Sequence, residues 1–321
     1  MKLALPILCI TLMLSACGGD DEPTQGSPRA NSLSINQSFT VSNTDREYHL
    51  YLPADARSAP IVVLLHGNGG SSDQIIGLER TKAPHKVWLD VAERENIVLL
   101  IPNGSLGPND KRGWNDCRND APTNPASDDV NFLSELIGFV KSEYGSSEAK
   151  VFLAGTSNGG LMSMRLAEAI PERLSAIAVI VASKPVNSEC ADSTVPLSVL
   201  FMNGTDDPIL PYNGGQIGTD RGVVQSTNAT VNYWVNRNQT DTAPVETSIA
   251  DRDSNDDSTV KRYSYRNGAN NTVVEHYEVT GGGHTEPSIA QRYAALYKLI
   301  VGTQNGDVEM TNEVWNFFKS L

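Results

Sequence analysis

Five short stretches of this chain are built on apolar runs: "IVVLLHG" (61–67), "IVLLIPNG" (97–104), "KVFLAG" (150–155), "SAIAVIVAS" (175–183) and "PLSVLFMNG" (196–204). A strand wetted on one face alternates polar and apolar residues. A continuous apolar run closed by a turn residue predicts a strand covered on both faces. Between these runs lie stretches with helical spacing: "VWLDVAEREN" (87–96), "SDDVNFLSELIGFVKSEYG" (127–145), "NGGLMSMRLAEAIPERL" (158–174), "STNATVNYWVNRN" (226–238) and "TNEVWNFFKSL" (311–321). Buried strands alternating with helices predict an α/β fold, a mostly parallel sheet with helices on both faces. In such sheets ligands bind outside the carboxyl ends of the strands. "EYHLYLP" (47–53) alternates like a strand, and "VKRYSYRNG" (260–268) with "NTVVEHYEVTGGG" (271–283) reads as a strand pair.

The N-terminus reads as an address. Met1-Lys2 precedes "LALPILCITLML" (3–14), an apolar run too short to span a bilayer comfortably and suited to a signal-peptide core. It ends in Leu14-Ser15-Ala16-Cys17, which resembles the bacterial lipobox, in which the cysteine is lipidated. Residues 1–16 are expected to be a lipoprotein signal peptide and Cys17 the lipid site. Gly18, not Asp, follows the cysteine, which resembles lipoproteins exported to the outer membrane or cell surface. "GGDDEPTQGSPRANS" (18–32) has almost no apolar residue, so residues 17–40 are expected to form a flexible tether and 41–321 one large domain. A formal charge of −13 without a Lys/Arg-rich run excludes nucleic acid as a partner. Membrane contact is expected through the anchor alone. Of four cysteines, Cys9 falls in the signal and Cys17 takes the lipid. Cys117 and Cys190 remain as a pair in an oxidising compartment, where a disulfide is expected. No Cys-x-x-Cys occurs and the five histidines are dispersed, so a structural zinc site is not expected. "DRDSNDDSTVKR" (251–262) begins like a calcium loop, but Asp256 and Arg262 stand where that loop needs Gly and Glu. It reads as a solvated acidic turn.

Gly155-Thr156-Ser157-Asn158-Gly159 sits where a buried strand becomes a helix. G-x-S-x-G in that context is the nucleophile elbow: the serine stands on a strained turn, and its flanking glycines let strand and helix approach. A serine hydroxyl needs a base, and the base needs an orienting carboxylate, in the chain order Ser, acid, His. Only His276 and His284 follow Ser157. His276 lies in an alternating run and reads as a strand residue. His284 follows "GGG" in a loop and is the better base. Asp206 and Asp207 follow the strand at 196–204, either able to serve as acid. Oxyanion donors are expected from the N–H of Asn158 and from the "LHGNGGSS" loop, at Asn68. His66 precedes the serine in that loop and reads as a loop-shaping residue. Trp114 and Tyr212 are expected to line the pocket, although Trp114 also suits a core.

The ordered set "LLHGNGGSS", "GWNDCR", "DDVNFLSELI", "GTSNGGLMSMRLA", "NGTDDPILPYNGG", "GGGHTEP" and "TNEVWNFF" resembles the polyhydroxybutyrate-depolymerase-like esterases, a group that also contains feruloyl and acetylxylan esterases. The resemblance covers residues 45 to 321. It implies an α/β-hydrolase fold without metal or organic cofactor, with Ser157 as nucleophile, Asp207 as acid and His284 as base. The chain departs from that pattern at Asn203, Asp206 and Glu286, where the group often has His, Ala and Trp. The stretch Ser288–Asn305 is longer than expected and is read as a lid or rim. The expected substrate is a small-molecule or oligosaccharide ester, feruloyl, acetyl or short hydroxyalkanoate, with soluble esters preferred over solid polyester. A serine peptidase of related fold and a non-catalytic polysaccharide-binding lipoprotein are the alternatives.

Overall fold

A computed structural model describes residues 31–57, 59–79, 84–144 and 149–321. The expected signal peptide, Cys17 and the tether up to residue 30 lie outside the described residues. Among the described residues ten strands form the main sheet: β1 (Ser32–Val41), β2 (Thr44–Leu52), β3 (Ile61–Leu65), β4 (Val98–Pro102), β5 (Val151–Thr156), β6 (Ala176–Ile180), β7 (Ser198–Gly204), β8 (Val245–Ser248), β9 (Thr259–Tyr265) and β10 (Val274–Thr280). Their order is β1-β2-β4-β3-β5-β6-β7-β10-β9-β8. The six central strands, β4 to β10, are mutually parallel, and an antiparallel pair closes each edge.

The unalternating strands are covered on both faces. Val63, Leu65 and Leu153 point into one core with Phe132, Leu161 and Trp234, which come from α2 (Asp129–Glu143), α3 (Asn158–Ala169) and α4 (Thr227–Asn238). Val62, Leu64 and Phe152 point into the other with Trp88, Val314 and Phe318. These come from α1 (Val87–Glu95) and α6 (Met310–Lys319), while α5 (Ala295–Val301) stays at the surface. Phe152 stacks on Phe318 with centroids 4.5 Å apart, tying the closing helix to the middle of the sheet. Burying each such side chain contributes about 1.5–3 kcal/mol. α3 ends earlier than its apolar pattern suggests, at Ala169, because Pro171 disfavours helical backbone in the residue before it. This is the α/β-hydrolase architecture.

The tether boundary at residue 40 is corrected: Ser32–Val41 is a strand of the main sheet. "SLSINQSFTV" is polar enough to read as linker, yet it pairs antiparallel with β2 through a tight turn whose Ser42 and Asn43 have φ of 50° and 60°. An edge strand is held by its backbone ladder and needs no continuous apolar face.

Candidate active site

Ser157 follows β5 and precedes α3, with φ 55° and ψ −120°. A non-glycine residue is rarely held there, at a cost of about 1–3 kcal/mol. The turn is held by Ser157 N–H donating to Ile180 O (2.8 Å) and by close backbone packing around it. A Cβ on Gly155 would lie 2.2 Å from Gly159 O, and one on Gly159 would lie 2.2 Å from Leu65 O. Both elbow glycines are therefore sterically required.

Asp207 and His284 meet after β7 and β10. His284 Nδ1 lies 2.7 Å from Asp207 Oδ2, and Asp207 Oδ1 accepts from Ile209 and Leu210 N–H, each at 2.8 Å. The carboxylate only accepts, so Nδ1 carries the proton and Nε2 is left as a base. Both side chains are nearly buried. Asp206 is exposed and bonds to Thr205 Oγ1 instead. His276 is stacked between Tyr212 and Tyr263 within the sheet, and burial pulls its pKa down to about 4. His66 borders the cavity with both ring nitrogens engaged: Nδ1–H donates to Gly67 O (2.7 Å), and Nε2 accepts from Gly104 N–H (2.9 Å). Burial holds it neutral, with a pKa of about 4.

Asn158 is the first residue of α3, where a backbone N–H has no intrahelical acceptor. Its side chain is fully engaged: Oδ1 accepts from Trp114 N–H (2.7 Å), and Nδ2 donates to Trp114 O (3.0 Å) and Asp116 Oδ2 (2.6 Å). Asn68 lies on the loop after β3 and borders the same space as Ser157. A Cβ on Gly67 would stand 3.4 Å from Ser157 Cβ, so that loop packs directly on the serine.

The two aromatic residues expected in the pocket are not there. Trp114 is fully buried, with its indole N–H donating to His66 O (2.9 Å). Its loop must pack against α3 to let Asn158 reach it, which takes the ring into the core. Tyr212 donates to Glu278 Oε2 (2.6 Å) and faces the β10 side of the sheet. Asp116 pairs with Arg118 (2.7 Å), and the Cys117–Cys190 disulfide, Cα–Cα 5.8 Å, fastens this loop to the segment before β7. The "GWNDC" motif therefore builds support beneath the serine.

Ser157 and His284 line one cavity of about 160 Å³, together with Glu286, Tyr293, Tyr297 and Arg221. The Ser288–Asn305 stretch forms its rim: it carries α5, and Tyr293, Tyr297 and Val301 face the cavity. Of the three departures from the family pattern, only Glu286 borders the cavity; Asn203 is buried in β7 and donates to Ala182 O (3.1 Å). Glu286 accepts from Tyr293 O–H (2.5 Å) and stands 3.7 Å from His85 Nε2, which also bonds to Thr156 Oγ1 (2.7 Å). Burial lowers the His85 pKa, and the Glu286 carboxylate opposes that shift. Sequence reasoning missed His85, Arg221, Tyr293 and Tyr297, since no motif marks them. The acidic turn is exposed at Asp251 and Asp257 as expected, but not at Asp256. Asp256 is buried, and accepts from Ser258 N–H (2.9 Å) and Gly306 N–H (2.7 Å), pinning the end of the rim segment. Among the described residues no group of three or more metal-ligating side chains occurs.

The family model "Putative esterase" matches residues 40–285, and the chain belongs to that family. Putative esterase NocK of Nocardia uniformis subsp. tsuyamanensis is 25% identical over 60% of this chain and 54% of its own length. Feruloyl esterase C of Emericella nidulans is 26% identical over 58% of this chain and 66% of its own. The chain thus spans about half to two thirds of these relatives. An acetyl xylan esterase structure from Aspergillus awamori superposes with a TM-score of 0.52 at 16% identity, covering 84% of this chain and 97% of that one. That likeness establishes the fold.

Proposed function

We propose that this protein is a serine carboxylic-ester hydrolase acting through an acyl-enzyme, with acetyl or feruloyl sugar esters as substrates. Ser157 attacks the ester carbonyl while His284 Nε2 takes its proton. Asp207 holds the imidazole tautomer and stabilises the imidazolium. The Asn158 and Asn68 N–H groups bind the oxyanion, each donor contributing roughly 3–4 kcal/mol to transition-state stabilisation. His284 then protonates the leaving alcohol, and water repeats the sequence on the acyl-enzyme. The observation that carries this reading is the 2.7 Å His284–Asp207 contact beside a serine on a strained elbow in the same cavity. Family membership and the names of the relatives agree with it. The test is turnover of p-nitrophenyl acetate. Ser157→Ala, His284→Ala and Asp207→Asn should each lower kcat by roughly 10⁴-fold or more, and double variants should lose little beyond the singles. Greater damage from Asp206→Asn than from Asp207→Asn would refute the choice of acid.

We also propose export as a lipoprotein anchored at Cys17. Its support is the apolar run 3–14 followed at once by Leu14-Ser15-Ala16-Cys17. Cys17→Ala should move the protein from the membrane fraction to the soluble one; a soluble, unacylated wild type would refute the anchor.

A further inference from the structure

Space extends from Ser157 in two directions. The 160 Å³ cavity contains His284. A second recess, of about 20 Å³, shares Ser157, Asn68 and Arg221 with it but not His284; Leu161, Leu210 and Ile217 form its apolar side, and Asn158, Arg118, Thr123 and Asn124 its polar side. The three apolar side chains are at most 4% exposed. A recess of that size admits about one water-sized group.

The serine-esterase reading, on which this inference rests, assigns the two spaces. In acylation the Ser157 Oγ–carbonyl bond forms and the carbonyl–alkoxy bond breaks. The serine proton passes through His284 to the departing alkoxide, giving free alcohol and acyl-serine. Water then regenerates the serine and releases the acid. The leaving oxygen must reach His284, so the alcohol occupies the large cavity, whose Glu286, Tyr293, Gln74 and Arg221 can meet hydroxyl groups. The acyl substituent must project the other way. We infer that the small recess is the acyl pocket, that it fits acetyl and excludes longer or aromatic acyl groups, which narrows the proposed acetyl or feruloyl substrates to acetyl esters, and that Leu210 and Ile217 set this limit. Leu210 is held in place by the acid itself, through its N–H to Asp207 Oδ1 (2.8 Å), while Leu161 stands one helical turn after the nucleophile. The wall therefore shares its support with the triad and has little freedom to retreat.

The experiment compares p-nitrophenyl acetate, butyrate and octanoate, which hold the leaving group constant. Each methylene too many in a close-fitting pocket costs about 10–200-fold. Wild type should prefer acetate over butyrate by at least about tenfold in kcat/KM, with octanoate lower still. Ile217→Ala and Leu210→Ala should each reduce the acetate preference by about tenfold, chiefly by raising butyrate turnover. The wild-type profile requires no variant to fold. Ser157-dependent turnover with butyrate equal to or faster than acetate would overturn the acyl-pocket assignment alone. Turnover indifferent to Ser157→Ala would overturn the esterase reading and this inference with it.

Discussion

The two walls of the large cavity are built differently. On the Ser157 side, backbone packs against backbone, Gly155 against Gly159 and Gly159 against Leu65 O, and the Asn158 side-chain amide clamps the backbone N–H and C=O of Trp114. On the opposite side, the rim from Glu286 to Val301 is held by long polar side chains reaching across loops. Gln304, fully buried, donates to Glu286 O and Gln291 O and accepts from Tyr293 N–H. Glu309 accepts from Ser288 Oγ and from Ile289 and Ala290 N–H. The first wall has no room for a substituent and fixes Ser157, the proposed nucleophile. The second can exchange side chains without disturbing them, as expected of the part that selects a substrate.

That contrast is broken most directly at Gly159. Gly159→Ala should cost more than about 4 kcal/mol, since its Cβ would meet Leu65 and His66 backbone and no flexible side chain could yield. The check is urea unfolding or recovery of soluble protein; a melting temperature within a few degrees of wild type would show that the wall can give.

Next in size is the acid response of His66, which stands behind the serine. Its folded pKa of about 4 lies below the ordinary 6.5, so the unfolded chain binds its proton first. The stability it protects is present above pH 6.5 and is lost as pH falls towards 4, up to about 3 kcal/mol in all. NMR titration should find this imidazole neutral at pH 5 with the proton on Nδ1, and a titration near 6.5 would contradict its burial. On the rim, Gln304→Ala should cost roughly 1–3 kcal/mol. It should raise KM more than it lowers kcat; an equal fall in kcat would mean that the rim also positions the triad. Smallest of all, Leu299→Ser on the outer face of α5, where the side chain is 83% exposed, should change stability by no more than about 0.5 kcal/mol, read by the same unfolding assay.

The same contrast decides what could be read in the sequence. The elbow, the His66-Gly67 step and five of the six parallel strands follow from steric and burial demands that leave short local signatures; β10 was read only as half of a strand pair. Asp207 was separable from Asp206 only through the family pattern, because both follow β7 and the choice depends on which carboxylate turns towards His284. Trp114 was ambiguous because an aromatic residue in a glycine loop can face a pocket or a core; the amide of Asn158, 44 residues away, decides it. β1 was hidden because an edge strand needs no apolar period. The rim contacts of Glu286, Tyr293 and Arg221 join residues with no periodic relation, so nothing in the sequence brings them together.

The most direct test of the account is covalent labelling with a p-nitrophenyl phosphonate ester, which leaves a stable adduct on an activated serine. The account predicts one adduct per chain, mapped by peptide mass spectrometry to Ser157, absent from Ser157→Ala and formed at least about 10³-fold more slowly in His284→Ala. Labelling at another residue, or at an undiminished rate without His284, would contradict it.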